Sequence, residues 1–594
     1  MKKIIFINCL LLCLFALHSL EYRLPKVLFI TSGDGEGQGT VSDGVILALQ
    51  EFNKSGAFVR LENRQILHYP KKMQEYSIMI IPTTFGYHDA DRRYSLSFLS
   101  NQEMQNISDW VKQGGTLVSD VYLGRNRLSG EDRISAQSEL NRDNWLLADC
   151  FGVNLQEKNM QQYRIVSNSN EIWNAEITPI FDEPEWASIV SEIKNSQVKI
   201  LAHWQNGEIN YPAITQNYFF EGKSILLSTF NLIHPAGDGG FSNAKEIQAF
   251  YQYVYGLALG ERKYTIDLNP WPKGAQSAFC LTFDVGGTLE QYQRIFNLVR
   301  QQKIPATMFV TNNLDAEINN WLEKQNQIIL ESNSQSRPDF RTLNFQQTVQ
   351  ELLENQSFYK KQFVGFRFPF TNNSFWGMKA LDELGFVYDS SIAVNHLEFY
   401  RGSLFPYNIP IFKDGYYKSL DLLEISQNFH DDWYYFQDVL TNNKYDETNE
   451  KQNAAKYNAY LQTMWKRAIK PENGLMVFQG HPMYSGRSKT AMQPLENIVQ
   501  TAKDDNAWIT SIGEVASYWN KLKELKINIS EQGNEVKIDF KITDNSAVDD
   551  ISFKIPRRPQ KVIYGQKTQI LENDAGIFLV LESVKNGSEV ILKF

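Results

Sequence analysis

Short apolar runs alternate with helix-forming segments along most of this chain, and this alternation limits the fold more than any other feature. Between residues 25 and 260, the segments that separate the apolar runs repeat their hydrophobic residues at helical spacing. The runs themselves are rich in β-branched residues and suit buried strands: Lys26–Thr31, Ser77–Pro82, Thr116–Asp120 and Ser224–Thr229. This order predicts an α/β domain with an open, mostly parallel sheet over residues 25–260.

A second α/β series follows a linker at residues 261–276 and extends over residues 277–522. Its apolar runs read CLTFD, ATMFVT, VGFRF, LLEI and GLMVF, and helical patterns lie between them. Repeated strand–helix units over this length predict a distorted (β/α) barrel. Residues 525–594 change to period-2 alternation with turn signals such as Asn586-Gly587, which predicts a small C-terminal β-sandwich.

The first 19 residues have the pattern of a secretory signal peptide. Lys2 and Lys3 precede an apolar run from Ile4 to Leu17, which is shorter than the ~20 residues that span a bilayer. We therefore expect an exported protein, periplasmic or extracellular, with no transmembrane helix in the mature chain. The net charge of -9 and the lack of a basic run argue against a nucleic-acid partner.

Two cysteines remain after the expected signal peptide, Cys150 and Cys280, and both lie in apolar sequence. Two buried free thiols are the preferred interpretation, with a disulfide as the alternative.

The phrase WVKQGGTLVSD and the order of elements over residues 25–260 resemble the flavodoxin-like, glutamine-amidotransferase-like domains. An amidotransferase needs a nucleophilic Cys at the turn after a strand. This chain has Ser119-Asp120-Val121 at the comparable turn, and Cys150 lies too far along the sequence. We therefore predict that this domain is not catalytic.

Five stretches of the second series occur in an order that points to one family. They are Thr282–Asp284, Lys303–Val310, Ser336–Pro338, Phe366–Pro369 and Phe478–Pro482. Together they resemble the motifs of the NodB-type polysaccharide deacetylases, carbohydrate esterase family 4. The resemblance implies metal-assisted hydrolysis of an acetyl amide, in which one Asp and two His hold a divalent ion such as zinc.

The resemblance assigns catalytic roles to three residues of this chain. Asp284 matches the base, Arg367 the residue that orients it, and His481 the general acid. A purely structural Asp284–Arg367 pair is the alternative. The three metal-ligand positions of the family correspond instead to Val285, Asn333 and Arg337.

Val offers no lone pair, Asn is a weak ligand and Arg is a permanent cation, so we predict no metal and no other cofactor. We hypothesise that the Arg337 guanidinium fills the vacated space and pairs with Asp284.

One other His and acid cluster, Asn428–Trp433, could supply substitute ligands. The alternative interpretation is that Asp431 or Asp432 caps a helix while Trp433 packs at the pocket wall. The residues expected to contact substrate are Phe368, Pro369, Trp433 and Tyr484, because aromatic rings near strand ends suit sugar stacking.

Two functions remain open, and both have a carbohydrate polymer or oligosaccharide as partner. The first is a deacetylase-like hydrolase that acts on C–N bonds of acetylated carbohydrate by a non-standard mechanism. The second is a catalytically inactive glycan-binding or cell-envelope scaffold protein with a pseudo-deacetylase barrel. A weaker third possibility is a metal-free esterase that uses His481 with a nearby serine such as Ser485.

Overall fold

The computed structural model describes most of the chain from residue 20 onward, so the predicted signal peptide at residues 1–19 lies outside it. The described residues are 20–30, 43–83, 96–97, 99–124, 145–168, 172–173, 180, 185–207, 209–229, 232–233, 244–394, 402–413, 416–428, 430–441, 447–543 and 546–594. Among them, no helix has both the length and the apolar character needed to cross a membrane.

A nine-stranded mixed sheet occupies the N-terminal part. Its order is β3-β2-β4-β5-β10-β9-β8-β6-β7. The strands of this part of the chain are β1 (Leu20–Arg23), β2 (Val27–Ile30), β3 (Val59–Glu62), β4 (Ile78–Ile81), β5 (Thr116–Asp120), β6 (Val153–Ser167), β7 (Glu185–Ile193), β8 (Lys199–Asn206), β9 (Ile209–Phe219), β10 (Gly222–Leu227) and β11 (Asp267–Leu268). The main helices are Asp43–Lys54, Asn101–Lys112 and Ala244–Leu259, with short helices at Arg64–His68, Pro70–Met73 and Ala148–Phe151.

Only half of this sheet is parallel, which corrects the predicted mostly parallel arrangement. The pairings among β3, β2, β4, β5 and β10 are parallel, whereas those among β10, β9, β8, β6 and β7 are antiparallel. The physical reason is that among the described residues no helix lies between β7, β8, β9 and β10, and the short connections between β8, β9 and β10 bring each strand back antiparallel to the one before it.

A second, curled sheet carries the deacetylase-like motifs. Its path is β18-β19-β16-β15-β14-β13-β12-β21, with β22 beside β12, and β17 pairs with β20. The strands are β12 (Ala278–Asp284), β13 (Ala306–Val310), β14 (Ile328–Ser332), β15 (Gly365–Phe366), β16 (Tyr388–Asp389), β17 (Ala393–Val394), β18 (Tyr407–Lys413), β19 (Tyr416–Glu424), β20 (Gln427–Asn428), β21 (Leu475–Gly480) and β22 (Trp508–Thr510). From β12 to β19 neighbouring strands are parallel, and within the described part of the chain the sheet forms a half-barrel with an antiparallel edge strand, β18.

Helices pack on this half-barrel between its strands. They are Leu289–Gln302, Ala316–Leu322, Phe345–Tyr359, Phe375–Glu383, Asp432–Thr441, Glu447–Met464, Pro482–Ser485, Lys489–Asp504 and Ile512–Glu524. Short helical turns lie at Pro272–Gly274, Phe340–Thr342, Pro369–Thr371 and Trp465–Ile469. A capping box lies where the first of these helices begins, because the Thr288 backbone N–H donates to Gln291 Oε1 at 2.8 Å.

Two antiparallel sheets complete the chain, in the orders β1-β23-β24-β29-β26 and β11-β25-β28-β27. Their remaining strands are β23 (Leu525–Gln532), β24 (Glu535–Ile542), β25 (Val548–Ile555), β26 (Lys561–Tyr564), β27 (Thr568–Asn573), β28 (Gly576–Val584) and β29 (Glu589–Lys593). The rings of Phe540 and Phe553 meet between the sheets at 5.8 Å. The first described strand and part of the linker thus pair with the C-terminal segment, an arrangement that the sequence did not predict.

Candidate functional site

The candidate site lies where parallel strands of the half-barrel end. Phe283 of β12 is the register partner of Gly480 of β21, so Asp284 and His481 each lie one residue beyond this pair. Arg367 follows β15 by one residue. Because the carboxyl ends of parallel strands meet at one edge of a sheet, the structure brings these three predicted catalytic residues to the same edge.

Asp284 is held by two side-chain donors. Its Oδ1 accepts from Arg367 Nη1 at 3.1 Å, and its Oδ2 accepts from Gln479 Nε2 at 3.1 Å. The carboxylate is nearly buried. Both oxygens therefore have a fixed direction, and Gln479 is a site residue that sequence reasoning missed although it belongs to the quoted Phe478–Pro482 motif.

Arg367 is fully buried and its other donors are also used. Its Nε donates to the Ser390 carbonyl at 2.8 Å and its Nη2 to Ser390 Oγ at 3.1 Å. The guanidinium lies 4.2 Å from the centroid of the Phe309 ring. A buried cation with this many fixed contacts can orient the Asp284 carboxylate, because it has no freedom to turn away.

A second cluster joins His481 to Asp432. His481 Nδ1 lies 2.8 Å from Asp432 Oδ1, and the His481 backbone N–H donates to Asp432 Oδ2 at 2.7 Å. Ser485 adds its backbone N–H and its hydroxyl as donors to the same Oδ2, at 3.1 and 2.7 Å. The fully buried Asp432 carboxylate thus fixes the imidazole ring and stabilises a proton on Nδ1.

The charges around His481 favour its protonated form. Burial lowers the pKa of His481, but the carboxylates of Asp432, Asp284 and Asp431 outweigh this effect and raise the pKa to about 9. The imidazole is therefore a cation at neutral pH. For Asp431, burial raises the pKa to about 6, against the opposing charge of His481.

The positions that would hold the metal implied by the resemblance do not fit one. Val285 is apolar, and the Asn333 amide donates from Nδ2 to the Arg367 carbonyl at 2.8 Å. Arg337 is a cation. This set offers one neutral oxygen, which is not a donor set for a divalent ion.

Among the described residues, Asp431, Asp432 and His481 form a group whose possible ligand atoms all lie within 4.8 Å of one another. In this cluster His481 Nδ1 is bonded to Asp432 Oδ1, while Asp432 Oδ2 already accepts three hydrogen bonds. A metal would have to displace these contacts, so this group fits a hydrogen-bonded dyad better than a metal site. His430, part of the predicted substitute cluster, instead stacks on Tyr434 at 3.8 Å between ring centroids.

Arg337 does not pair with Asp284, and that hypothesis was wrong. Asp284 already binds Arg367 and Gln479. The Arg337 guanidinium lies instead 5.1 Å from the centroid of the Phe370 ring. The buried Arg367, which follows β15, reaches the Asp284 carboxylate across the ends of β14 and β13, and Arg337 does not.

The predicted substrate-contacting residues divide into two groups. Phe368 is only 1% exposed and packs edge-on against Phe340 and Phe366, and Pro369 is buried beside it, which corrects their predicted role at a substrate surface. Trp433 is 47% exposed, and the Tyr484 ring lies 5.5 Å from the His481 ring. These last two remain candidates for contact with a ligand.

The two cysteines agree with the preferred interpretation, since Cys150 and Cys280 are free and buried. At the end of β5, the Ser119 hydroxyl donates to the Ile81 carbonyl and Asp120 accepts from the Thr83 backbone N–H. Both side chains are fully buried, so neither is presented to a substrate.

Comparisons with known proteins give one family and a set of distant structures. The polysaccharide deacetylase family model matches residues 272–388, about a fifth of the chain. The chain therefore contains a polysaccharide deacetylase-like domain, and the matched segment includes Asp284 and Arg367 but ends before His481. No curated protein matches the chain.

Among solved structures, the chain is similar to a protein provisionally classed as a polysaccharide deacetylase from Mycobacterium smegmatis, at 18% identity and a TM-score of 0.34 over 43% of this chain and 93% of that one. The chain is also similar to a Xyl-CE4 domain of a multidomain xylanase from the hindgut metagenome of Trinervitermes trinervoides. That similarity has 13% sequence identity and a TM-score of 0.26, and it covers 41% of this chain and 90% of that one. The similarity to a CE4 family pseudoenzyme from Bacillus anthracis has 12% sequence identity and a TM-score of 0.26, and it covers 41% of this chain and 66% of that one.

Proposed function

We propose that this protein is an exported polysaccharide deacetylase-like protein that binds acetylated carbohydrate at the open edge of its half-barrel and does not carry out metal-dependent deacetylation. One observation carries the proposal. The strand ends hold the Asp284 carboxylate against Arg367 and the His481 imidazole against Asp432, while the positions that the resemblance matches to the family's metal ligands are Val285, Asn333 and Arg337.

The replacement of the metal ligands that the resemblance implies argues against a water nucleophile made by a metal. Without a divalent ion to lower it, the pKa of water stays far above neutral, so hydroxide is scarce at neutral pH. The residues that remain at the site can still bind a carbohydrate. The His481 imidazolium is a hydrogen-bond donor for an acetyl or hydroxyl oxygen, and the exposed Trp433 ring offers a face for a sugar.

A metal-free hydrolase is the second candidate, and the intact acid and base pairs favour it. Asp284 is held by Arg367 in one direction, and His481 carries a proton that it could deliver to a departing amine. Such a reaction would rely on Asp284 alone to activate water. The third possibility, an esterase with Ser485 as nucleophile, has little support, because the Ser485 hydroxyl donates to Asp432 and not to the imidazole.

The test uses purified chain 20–594 with N-acetylchitohexaose and its fully deacetylated counterpart. Isothermal titration should detect the acetylated oligosaccharide, and Trp433→Ala should weaken binding at least about 10-fold, equivalent to ~1.4 kcal/mol. Ile563→Ala, which also removes an exposed apolar side chain but lies on β26 of the C-terminal sheets, is the matched control. Acetate release measured with and without added zinc separates the two candidates.

Each result distinguishes between the candidate functions. Binding without acetate release supports the glycan-binding protein. Zinc-independent acetate release that is lost in Asp284→Asn supports the metal-free hydrolase. Release that requires zinc would contradict both, and the absence of any glycan binding would contradict the carbohydrate partner.

Export and the role of the first domain belong to the same proposal. Residues 1–19 are proposed to be removed on secretion, which mass spectrometry of the secreted chain would test by its first residue. Residues 25–260 are proposed to be an amidotransferase-like domain without catalytic activity. The burial of Ser119 and Asp120 supports this proposal, as does the lack of a Cys at Ser119-Asp120-Val121. The flavodoxin-like fold of that domain and the β-sandwich assignment of residues 525–594 stay predictions.

A further inference from the structure

Two loops with unusual backbone conformation meet beside the candidate site. In the loop after β14, Ser334 and Arg337 have φ of +72° and +59°, and in the loop after β15, Phe370 and Thr371 have φ of +57° and +58°. Non-glycine residues rarely adopt this left-handed region, and such positions cluster at ligand clamps. The two loops contact each other through the Arg337 guanidinium and the Phe370 ring.

Within the described part of the chain, the Arg337 guanidinium has no ion-pair partner. No described carboxylate lies within 4.0 Å of it, and its buried Nε has no hydrogen-bond partner there. The nearest acid along the sequence, Asp339, is already bound by Arg341 at 2.6 Å. An arginine normally uses its planar array of donors, so a half-buried guanidinium without a carboxylate partner among the described residues can bind an anionic ligand.

The loop that carries Arg337 is held in place by hydrogen bonds that do not involve the guanidinium. The Arg337 backbone N–H donates to Ser334 Oγ at 3.1 Å, and Asn355 Nδ2 donates to the Ser334 carbonyl at 3.0 Å. The Ser336 backbone N–H and hydroxyl both donate to the Glu351 carboxylate, at 3.0 and 2.8 Å. Such fixing reduces the entropy that a ligand must offset on binding.

Arg337 also lies close to the turn after Asp284. The Tyr292 hydroxyl accepts from the Gly286 backbone N–H at 3.0 Å, and Arg337 opposes the effect of burial, which raises the pKa of Tyr292. A group bound at Arg337 would therefore neighbour a ligand held at Asp284. Phe370, which is 65% exposed, has one ring face against Arg337 and leaves apolar surface for a sugar ring.

We propose that Arg337 and Phe370 form a subsite for a carboxylate-bearing sugar, so that the glycan bound by this protein is acidic. The inference rests on the proposed function and adds its substrate class. A guanidinium matches the two oxygens of a carboxylate with parallel donors, and a stacked guanidinium keeps those in-plane donors free. A sulfate ester presents similar oxygens, and the experiment separates the two anions.

The experiment compares three probes of equal length on the chain 20–594: tetragalacturonate, neutral N-acetylchitotetraose and its 6-sulfated form. The wild type should bind tetragalacturonate at least about 10-fold more tightly than the neutral probe. Arg337→Gln should remove that preference, because it weakens the binding of tetragalacturonate more than that of the neutral probe. Arg341→Gln is the matched control, because Arg341 lies in the same region but is paired with Asp339.

Three results would overturn the subsite. The first is equal affinity for the acidic and neutral probes. The second is an unchanged preference for tetragalacturonate in Arg337→Gln. The third is tighter binding of the sulfated probe than of the carboxylate probe. Binding of the neutral probe alone would leave the proposed function standing while removing the acidic class. If no probe binds, both fail. Circular dichroism of Arg337→Gln shows whether the fold is intact, and Arg337→Lys, which keeps the charge, should retain part of the preference.

Discussion

Replacing Asp432 by Asn removes the charge that holds the proton on His481 while leaving the size of the side chain unchanged. In the wild type, Asp432 Oδ1 faces His481 Nδ1 at 2.8 Å and Oδ2 accepts three hydrogen bonds. An Asn can satisfy those three donors only with its oxygen, which turns its NH2 group toward Nδ1. That geometry requires a neutral imidazole that accepts at Nδ1 and carries its proton on Nε2.

The expected change in the pKa of His481 is large. The wild-type pKa of about 9 lies above the ordinary 6.5, a difference equivalent to ~3 kcal/mol in favour of the imidazolium. Burial lowers the pKa of this His, so removal of its nearest carboxylate should bring the pKa to about 6.5 or below, even with Asp284 and Asp431 still present.

Titration of the imidazole by NMR on histidine-labelled protein measures this shift directly, and His481→Gln identifies the signal. Asp431→Asn is the matched control, because its carboxylate lies 3.8 Å from Nδ1 and should lower the pKa less. An Asp432→Asn protein in which His481 still titrates near pH 9 would refute the assignment of Asp432 as the partner of the imidazole.

The same pair predicts how stability depends on pH. Because the pKa of His481 is raised on folding, its stabilising contribution is complete below about pH 6.5 and is lost as the pH rises through about 9. Chemical denaturation of the wild type should show this loss, and Asp432→Asn should not. An identical pH dependence of unfolding in both proteins would argue against the linkage.

Three further outcomes follow from burial. Arg367→Met should destabilise the fold by ~3–5 kcal/mol in denaturant unfolding, because it leaves the Asp284 carboxylate buried without its cation; a change below ~1 kcal/mol would contradict the buried pair. Phe368→Ala should cost ~3–5 kcal/mol in the same assay, whereas Trp433→Ala should cost less than ~1 kcal/mol and act on binding instead; equal losses would contradict their placement. Cys150 and Cys280 should resist a thiol reagent until the chain unfolds, because burial raises the pKa of both thiols; rapid labelling of the folded protein would show that they are accessible.

Much of the site could be anticipated because strand ends can be read from sequence. The apolar runs that end in Asp284 and before His481 are parallel neighbours, so the meeting of these residues follows from the register of β12 and β21. The importance of Asp432 was partly visible, since the Asn428–Trp433 cluster was noticed. Its partner could not be chosen, because the imidazole that reaches it lies 49 residues away in sequence.

Other features depend on packing that a sequence pattern does not contain. Phe368 follows Arg367 at a strand end, but the helix Phe375–Glu383 packs over it, and a Cβ at Gly377 would lie 2.5 Å from its ring. Arg337 was expected to reach Asp284, and only the side-chain positions reveal that Arg367 already occupies that carboxylate. The antiparallel strands β6 to β9 were not predicted, because their sequences mix polar and apolar residues. They lack the short apolar runs that mark the parallel strands of the same sheet.

The central claim is that no metal ion is resident at Val285, Asn333 and Arg337, the positions that the resemblance matches to the family's metal ligands, and zinc stoichiometry tests it most directly. Chain 20–594 and its Val285→Asp, Asn333→His, Arg337→His triple variant are incubated with zinc, desalted and measured by mass spectrometry of the metal. The account predicts no retained zinc in the wild type and about one tightly held ion per chain in the variant, since the substitutions create an Asp and two His ligands. One zinc per wild-type chain, or none in a folded variant, would contradict it.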